Sequence, residues 1–211
     1  MTLPAVPKWI DGRQMILRGA SCSRLEEKIM TVYPIHDLAS APAESKRPLD
    51  ELKQAFGFIP NIAGTMAESP VLLSALAGVF KQVHAGTFTE AEIQTLLLTN
   101  ARTNRSAWPV AFHSLLALQA GVAPATVQAI RDQRLPEEPK LAALSTLART
   151  LIELRGHLDE QTVSAFHDAG YRREQLLEAI TVIAASTMTN YTANLTNPPL
   201  ENAFQPHAWS E

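Results

Sequence analysis

The sequence has one cysteine, Cys22, in 211 residues. A lone cysteine forms no intrachain disulfide, no dithiol couple and no thiolate zinc site, since each needs at least two sulfurs from the chain. Aromatic residues are also sparse, at 6%, while alanine and leucine are abundant. That mix favours helices whose backbones approach closely over strands of branched and aromatic side chains. Positive charge is not in excess: 18 basic and 21 acidic side chains leave a net charge of −3 and a pI near 6.1. Such a chain offers no basic field to phosphate backbones or anionic lipid. No apolar run approaches the ~20 residues that span a bilayer, and the first residues hold no secretory-type apolar stretch. The expectation is a cytoplasmic, all-α protein with neither nucleic acid nor membrane as a partner.

What is present divides unevenly. Residues 1–29 are punctuated by Pro4, Pro7, Gly12 and Gly19 and hold no apolar period of 2 or 3.6, so they read as an irregular arm. Residues 30–211 read as one helical domain with a single core. Two origins of the arm stand side by side: an extension that packs on a partner subunit, or an upstream start with translation beginning at Met30. The second is motivated by Glu26 and Glu27, whose codons place a purine run just ahead of the Met30 codon, where a bacterial ribosome-binding site would lie.

From Met30 a proline-punctuated lead-in precedes a short helix, capped by Asp50 and stopped by Gly57. Ser69-Pro70 opens a helix that reaches Gly86, with serine as N-cap and proline at the first helical position. Thr89 and Glu92 have the spacing of a capping box. Ser106 is placed to cap the next helix, where Pro109 in the first turn removes an amide that has no intrahelical partner. Short and long helices follow over 124–131 and 136–156, then one capped by Asp159 and stopped by Gly170, and a last one that runs to Asn197-Pro198-Pro199. The tail reads as irregular. The result is seven or eight helices with no solenoid repeat, no phosphate loop, no nucleophile elbow and no zinc-protease motif.

The block FGFIPNIAGTMAESPVLL, the pattern T-x-x-E-x-Q-x-x-L-L-L, and N-x-S-x-x-P-x-x-x-His-Ser with its downstream A-x-x-A-G-V resemble the carboxymuconolactone decarboxylase family, in its alkylhydroperoxidase D-like (peroxidase-related) branch. The segments LAALSTLARTLIELRGHLDEQTVSAFHDAGYRREQLLEA and TNYTANLTNPPLENAFQPHAW continue that resemblance from Met30 to the end. It implies an all-α alkylhydroperoxidase D-like domain that assembles as a homo-oligomer through its long helices. In the peroxidatic members the active helix begins C-x-x-C and carries a histidine four residues past the second cysteine. The same frame here runs from Ser106 through Pro109 to His113, so both cysteines are replaced. The acid that lies twelve residues ahead of the first cysteine is Gln94 here, with Glu92 nearby. Thiol peroxidase chemistry needs a thiolate to attack the O–O bond and a second thiol to resolve the sulfenic acid. Ser106 and Pro109 supply neither, and Cys22 lies in the arm without a partner.

His113 is the member of the frame that survives, on the face it shares with Ser106 and Pro109. It is a candidate acid/base catalyst, and the competing reading is a core histidine hydrogen-bonded inside the bundle. Ser106, Trp108 and Glu92 are candidate substrate contacts. Against these, the favoured readings are Ser106 as a plain N-cap and Trp108 with Phe112 as core packing on one helix face. Two helical turns, about 10 Å, separate Ser106 from His113, which argues against a Ser–His nucleophile. His84 could converge on His113, but no ligand spacing supports a metal site. Glu178 reads either as a shielded acid with a raised pKa or, the favoured reading, as the polar edge of its helix, and Asn190 and Asn194 as amides that satisfy backbone or subunit contacts. The expected function is cofactor-independent acid/base chemistry, decarboxylation or isomerisation of a small lactone-like acid. A catalytically degenerate ligand-binding or scaffold protein is the alternative, and the family's peroxidase activity runs against the residues.

Overall fold

The computed structural model describes residues 33–210. The arm at 1–29, with Cys22 and the question of Met30, lies outside the described residues. Among the described residues nine α-helices and a closing 3₁₀ helix follow one another with no strand.

The first helix, α1 (Ala43–Phe56), begins seven residues before Asp50, so Asp50 is an interior residue and not the cap. Proline at position 48 was expected to keep the lead-in extended. Burial overrides that preference: Ser45, Pro48 and Leu49 form the buried face, and the Ser45 hydroxyl donates to the Ala67 carbonyl at 2.7 Å. Gly57 ends α1 in the left-handed region, at φ 78°. A six-residue helix that sequence patterning missed, α2 (Asn61–Met66), follows Pro60. In α3 (Pro70–Ala85), Ser69 accepts the Leu72 amide as expected. In α4 (Glu90–Thr103) both bonds of the Thr89/Glu92 capping box are made.

Next come α5 (Ala107–Gln119), α6 (Pro124–Arg131), α7 (Pro139–Glu153), α8 (Glu160–Asp168) and α9 (Arg173–Thr196). Asp159 caps α8 through the Thr162 amide at 2.8 Å. The left-handed Asn197 and the prolines after it end α9. The tail is not wholly irregular: Asn202–His207 form the 3₁₀ helix, which packs back on α5.

The central element is α4, which packs on α5, α7 and α9 and has ten of its residues buried. Its buried polar groups are satisfied across these contacts. Thr99 bonds Ser145 of α7 at 3.0 Å, and Asn100 donates to the Ile183 carbonyl of α9 at 3.0 Å while accepting from Asn190 at 3.1 Å. Asn194 donates to the Asn104 backbone carbonyl at 3.0 Å, whereas the Asn190 amide meets the Asn100 and Ser186 side chains and its buried oxygen has no hydrogen-bond partner among the described residues. Glu178 accepts both the amide and the hydroxyl of Thr87, at 2.9 Å each, and so ties the α3–α4 turn to α9. The inner face of α9 is core, yet Leu177, Ile180, Tyr191 and Leu195 stand exposed on its outer side.

Candidate functional site

A cavity of about 480 Å³ lies between α1, α2, α3, α4, α5 and the 3₁₀ helix. Its walls are mostly apolar. Phe56, Phe58, Phe80, Trp108, Phe112 and Phe204 supply aromatic surface, and the polar side chains that reach it include His84, Glu90, Gln94 and His113. No arginine or lysine lines it among the described residues.

The aromatic wall is built by helix spacing and by the tail. Trp108 and Phe112, four apart on α5, stack with centroids 4.9 Å apart, and Phe204 packs edge-on against both at 5.7 and 5.2 Å. Glu201, just before the 3₁₀ helix, holds this corner. One carboxylate oxygen accepts from the Trp108 indole at 2.8 Å and the other from the Asn61 amide, at the start of α2, at 2.6 Å. Asn61 in turn donates through its side chain to the Pro199 carbonyl at 2.9 Å. The core reading and the aromatic-pocket reading of Trp108 and Phe112 both describe the result, since these rings are buried and also line the cavity.

His113 is likewise both. It is only 3% exposed and lines the cavity. Its Nδ1 lies 2.9 Å from Oε1 of Gln94, one helix away on α4. With the Gln94 oxygen toward the ring, an atom that can only accept, Nδ1 is the donor and Nε2 keeps its lone pair. Nε2 has no hydrogen-bond partner among the described residues. Burial pulls the imidazole pKa down to about 3, so His113 is neutral at physiological pH.

Behind Gln94 the chain of contacts continues. Its amide nitrogen donates to Oε1 of Glu90 at 2.7 Å. The other Glu90 oxygen lies 3.6 Å from Nε2 of His84, whose Nδ1 is 2.8 Å from the Phe80 carbonyl. His84 therefore does converge on His113, but through Glu90 and Gln94 and not directly. Glu90 carried no signal in the sequence beyond that of an ordinary first-turn acid. The pairing of position 94 with His113 could have been suspected from the family frame alone.

The other two candidate contacts stand elsewhere. Ser106 occupies the N-cap position of α5, but its hydroxyl caps nothing; it donates to the Asn190 carbonyl of α9 at 3.2 Å and is fully buried outside the cavity lining. Glu92 points away on the opposite side of α4, where Thr89 and the Lys140 ammonium, at 2.8 Å, bind its carboxylate. Burial pushes that carboxyl up, and the Lys140 and Thr89 contacts outweigh it, leaving the pKa below the ordinary glutamate value. No group of three or more His, Cys, Asp or Glu side chains suited to a metal ion occurs among the described residues.

Neither a protein-family profile nor a curated protein sequence matches the chain. Solved structures do. One is an alkylhydroperoxidase D core, an uncharacterized peroxidase-related protein from Ralstonia eutropha, at TM-score 0.72 and 18% identity over 84% of this chain and 95% of that one. A second is the debrominase Bmp8, solved both alone and, as a cysteine-to-alanine variant, in complex with 2,3,4-tribromopyrrole; it matches at TM-score 0.66 and 21% identity over 85% and 96% of the two chains. A third, an uncharacterized peroxidase-related protein from Silicibacter, matches at TM-score 0.67 and 15% identity over 82% and 91%. The chain has the all-α alkylhydroperoxidase D-like fold.

Proposed function

We propose that the protein is a non-thiol acid/base enzyme acting on a small, neutral, largely apolar organic molecule, with Nε2 of His113 taking and returning a proton. The observation that carries this reading is a bare imidazole nitrogen on the wall of an apolar cavity of about 480 Å³, its partner nitrogen bonded to Gln94 at 2.9 Å.

The burial that keeps the imidazole neutral also makes it a weak base. Charge is then made only where it is matched, with imidazolium and substrate anion formed together and in contact at low dielectric. The proton must be an activated one, for example on carbon flanked by carbonyls or on an electron-poor ring. Its bond to the substrate breaks with the electron pair left behind, and an N–H bond forms at Nε2. Return of the same proton to a second atom of the substrate completes an isomerisation with no net oxidation or reduction. Trp108 and the phenylalanines would pack the substrate ring.

Decarboxylation asks for more. It would bring a carboxylate into a cavity whose lining, among the described residues, includes the Glu90 carboxyl and no arginine or lysine. Isomerisation by proton transfer is therefore the reaction we favour. The tribromopyrrole bound by the debrominase, a flat apolar ring, supports the ligand class; debromination itself is not carried over.

The second reading, a ligand-binding protein without turnover, draws on the same weak basicity. Solvent exchange separates the two. In D₂O with 1,3-dicarbonyl compounds and pyrroles, followed by proton NMR, the enzyme reading expects carbon–hydrogen exchange at least ~100-fold above background, lost in His113→Ala. Compounds that bind without exchanging, or exchange that survives His113→Ala, would leave the binding reading in its place.

A further inference from the structure

The amide of Gln94 could face His113 with either of its ends. With oxygen toward the ring, Nδ1 is the donor and Nε2 is bare; with nitrogen toward the ring, the proton moves to Nε2 and the cavity meets an N–H group. Some third group has to choose between these two arrangements.

We propose that Glu90 is the positioning residue that makes this choice, orienting the Gln94 amide so that His113 presents an unprotonated Nε2 to the cavity. This rests on the acid/base reading of His113 for its catalytic meaning, though not for its structural content. Glu90 occupies the first position of α4, where the partial positive charge of the helix start favours a carboxylate, and an ionised carboxylate accepts hydrogen bonds only. Its Oε1 lies 2.7 Å from the Gln94 amide nitrogen. Flipping that amide would set two acceptors against each other at this distance and would also remove the acceptor from Nδ1. Among the described residues, the titratable groups lining the cavity are His84, Glu90 and His113. His84 faces the second Glu90 oxygen, with Nε2 at 3.6 Å, and so does not compete for the oxygen that meets Gln94.

The arrangement orients and does not conduct. An amide passes no proton between Glu90 and His113 without forming an imidic acid, so the proton taken at Nε2 has to return to the substrate. That fits an isomerisation, which uses one base twice.

Histidine tautomers are read directly from long-range proton–nitrogen NMR spectra of ¹⁵N-labelled protein, with the His113 signals assigned by their loss in His113→Asn. The full-length protein without substrate is expected to show the proton on Nδ1. In Glu90→Leu, at a site about half exposed and so replaceable without disturbing the core, the Nε2–H tautomer should rise at least tenfold. Glu90→Gln, which can both accept and donate, should fall between the two. A wild-type protein with the proton on Nε2, or a tautomer ratio unchanged in both variants, would overturn the proposal. A tautomer shift in a protein with no exchange activity would support the positioning role and count against the enzyme reading alone.

Discussion

At His113, burial has a consequence that can be measured without a substrate. Burial pulls the imidazole pKa from its ordinary 6.5 down to about 3 in the folded protein. Between these limits the unfolded chain binds more protons than the folded one, so this residue's contribution to stability is complete above pH 6.5 and falls as the pH drops toward 3. The slope is about 1.4 kcal/mol per pH unit. Urea unfolding of wild type and His113→Leu at pH 7 and pH 4.5 isolates the effect, because the other titrating groups are common to both. Wild type is expected to lose about 3 kcal/mol more than the variant over that range. Parallel losses would mean that the imidazole is solvated and free to charge. The same neutrality predicts an exchange rate with no limb near pH 6.5.

At the scale of the element, α4 brings Glu90 and Gln94 to the site, and its start is set locally. Thr89 accepts the Glu92 amide at 3.3 Å, and Glu92 returns the bond to the Thr89 amide at 2.8 Å. Glu90 and Gln94 lie within the first five residues of this helix, so fraying there would move both ends of the Glu90–Gln94 bond. Thr89→Ala should lower stability by about 1 kcal/mol, and a chemical-denaturation midpoint unchanged with an unchanged slope would contradict it. This start was legible in the sequence because a capping box is a spacing of three residues. The starts at Ser69 and Asp159 and the stop at Gly57 were legible for the same local reason. The start of α1 was not, because the pattern gave Pro48 its usual meaning and could not show that the proline ring would be buried. Helix α2 was missed because the carboxylate meeting its first amide comes from Glu201, 140 residues further along the chain. Nothing local marks a cap of that kind.

At the scale of the whole molecule, the cavity has the same non-local character. Ser106 and Glu92 lie near His113 in sequence or in the family frame, but Ser106, two turns away at the start of α5, is bonded to α9, and Glu92 is held by Lys140. Glu90, Gln94 and Phe204 reach the cavity because α4, α5 and the tail converge there. The tail is the part that closes the arrangement. Arg131 on α6 donates to the carbonyls of His207 and Ala208 at 2.9 and 3.0 Å, and Arg102 lies 4.5 Å over the Trp209 ring, so the segment is held beyond the 3₁₀ helix. Glu201 holds it before that helix, with one oxygen for the indole of Trp108 and one for the start of α2. Both of its partners are donors, and this decides what a substitution does. Glu201→Gln keeps the shape but turns an amide N–H₂ group toward one of two N–H donors, so it should be nearly as damaging as Glu201→Ala. Each is expected to lower stability by about 1.5–3 kcal/mol, the range for a hydrogen bond to a charged group, and to weaken binding of pyrroles by loosening the Trp108–Phe204 wall. Trp108→Phe leaves the ring stack in place and removes one donor, so adding Glu201→Gln to it should cost clearly less than Glu201→Gln in wild type. If the two substitutions were additive in denaturant titrations, Glu201 would not be acting through Trp108, and the aromatic wall would owe its position to ring packing alone.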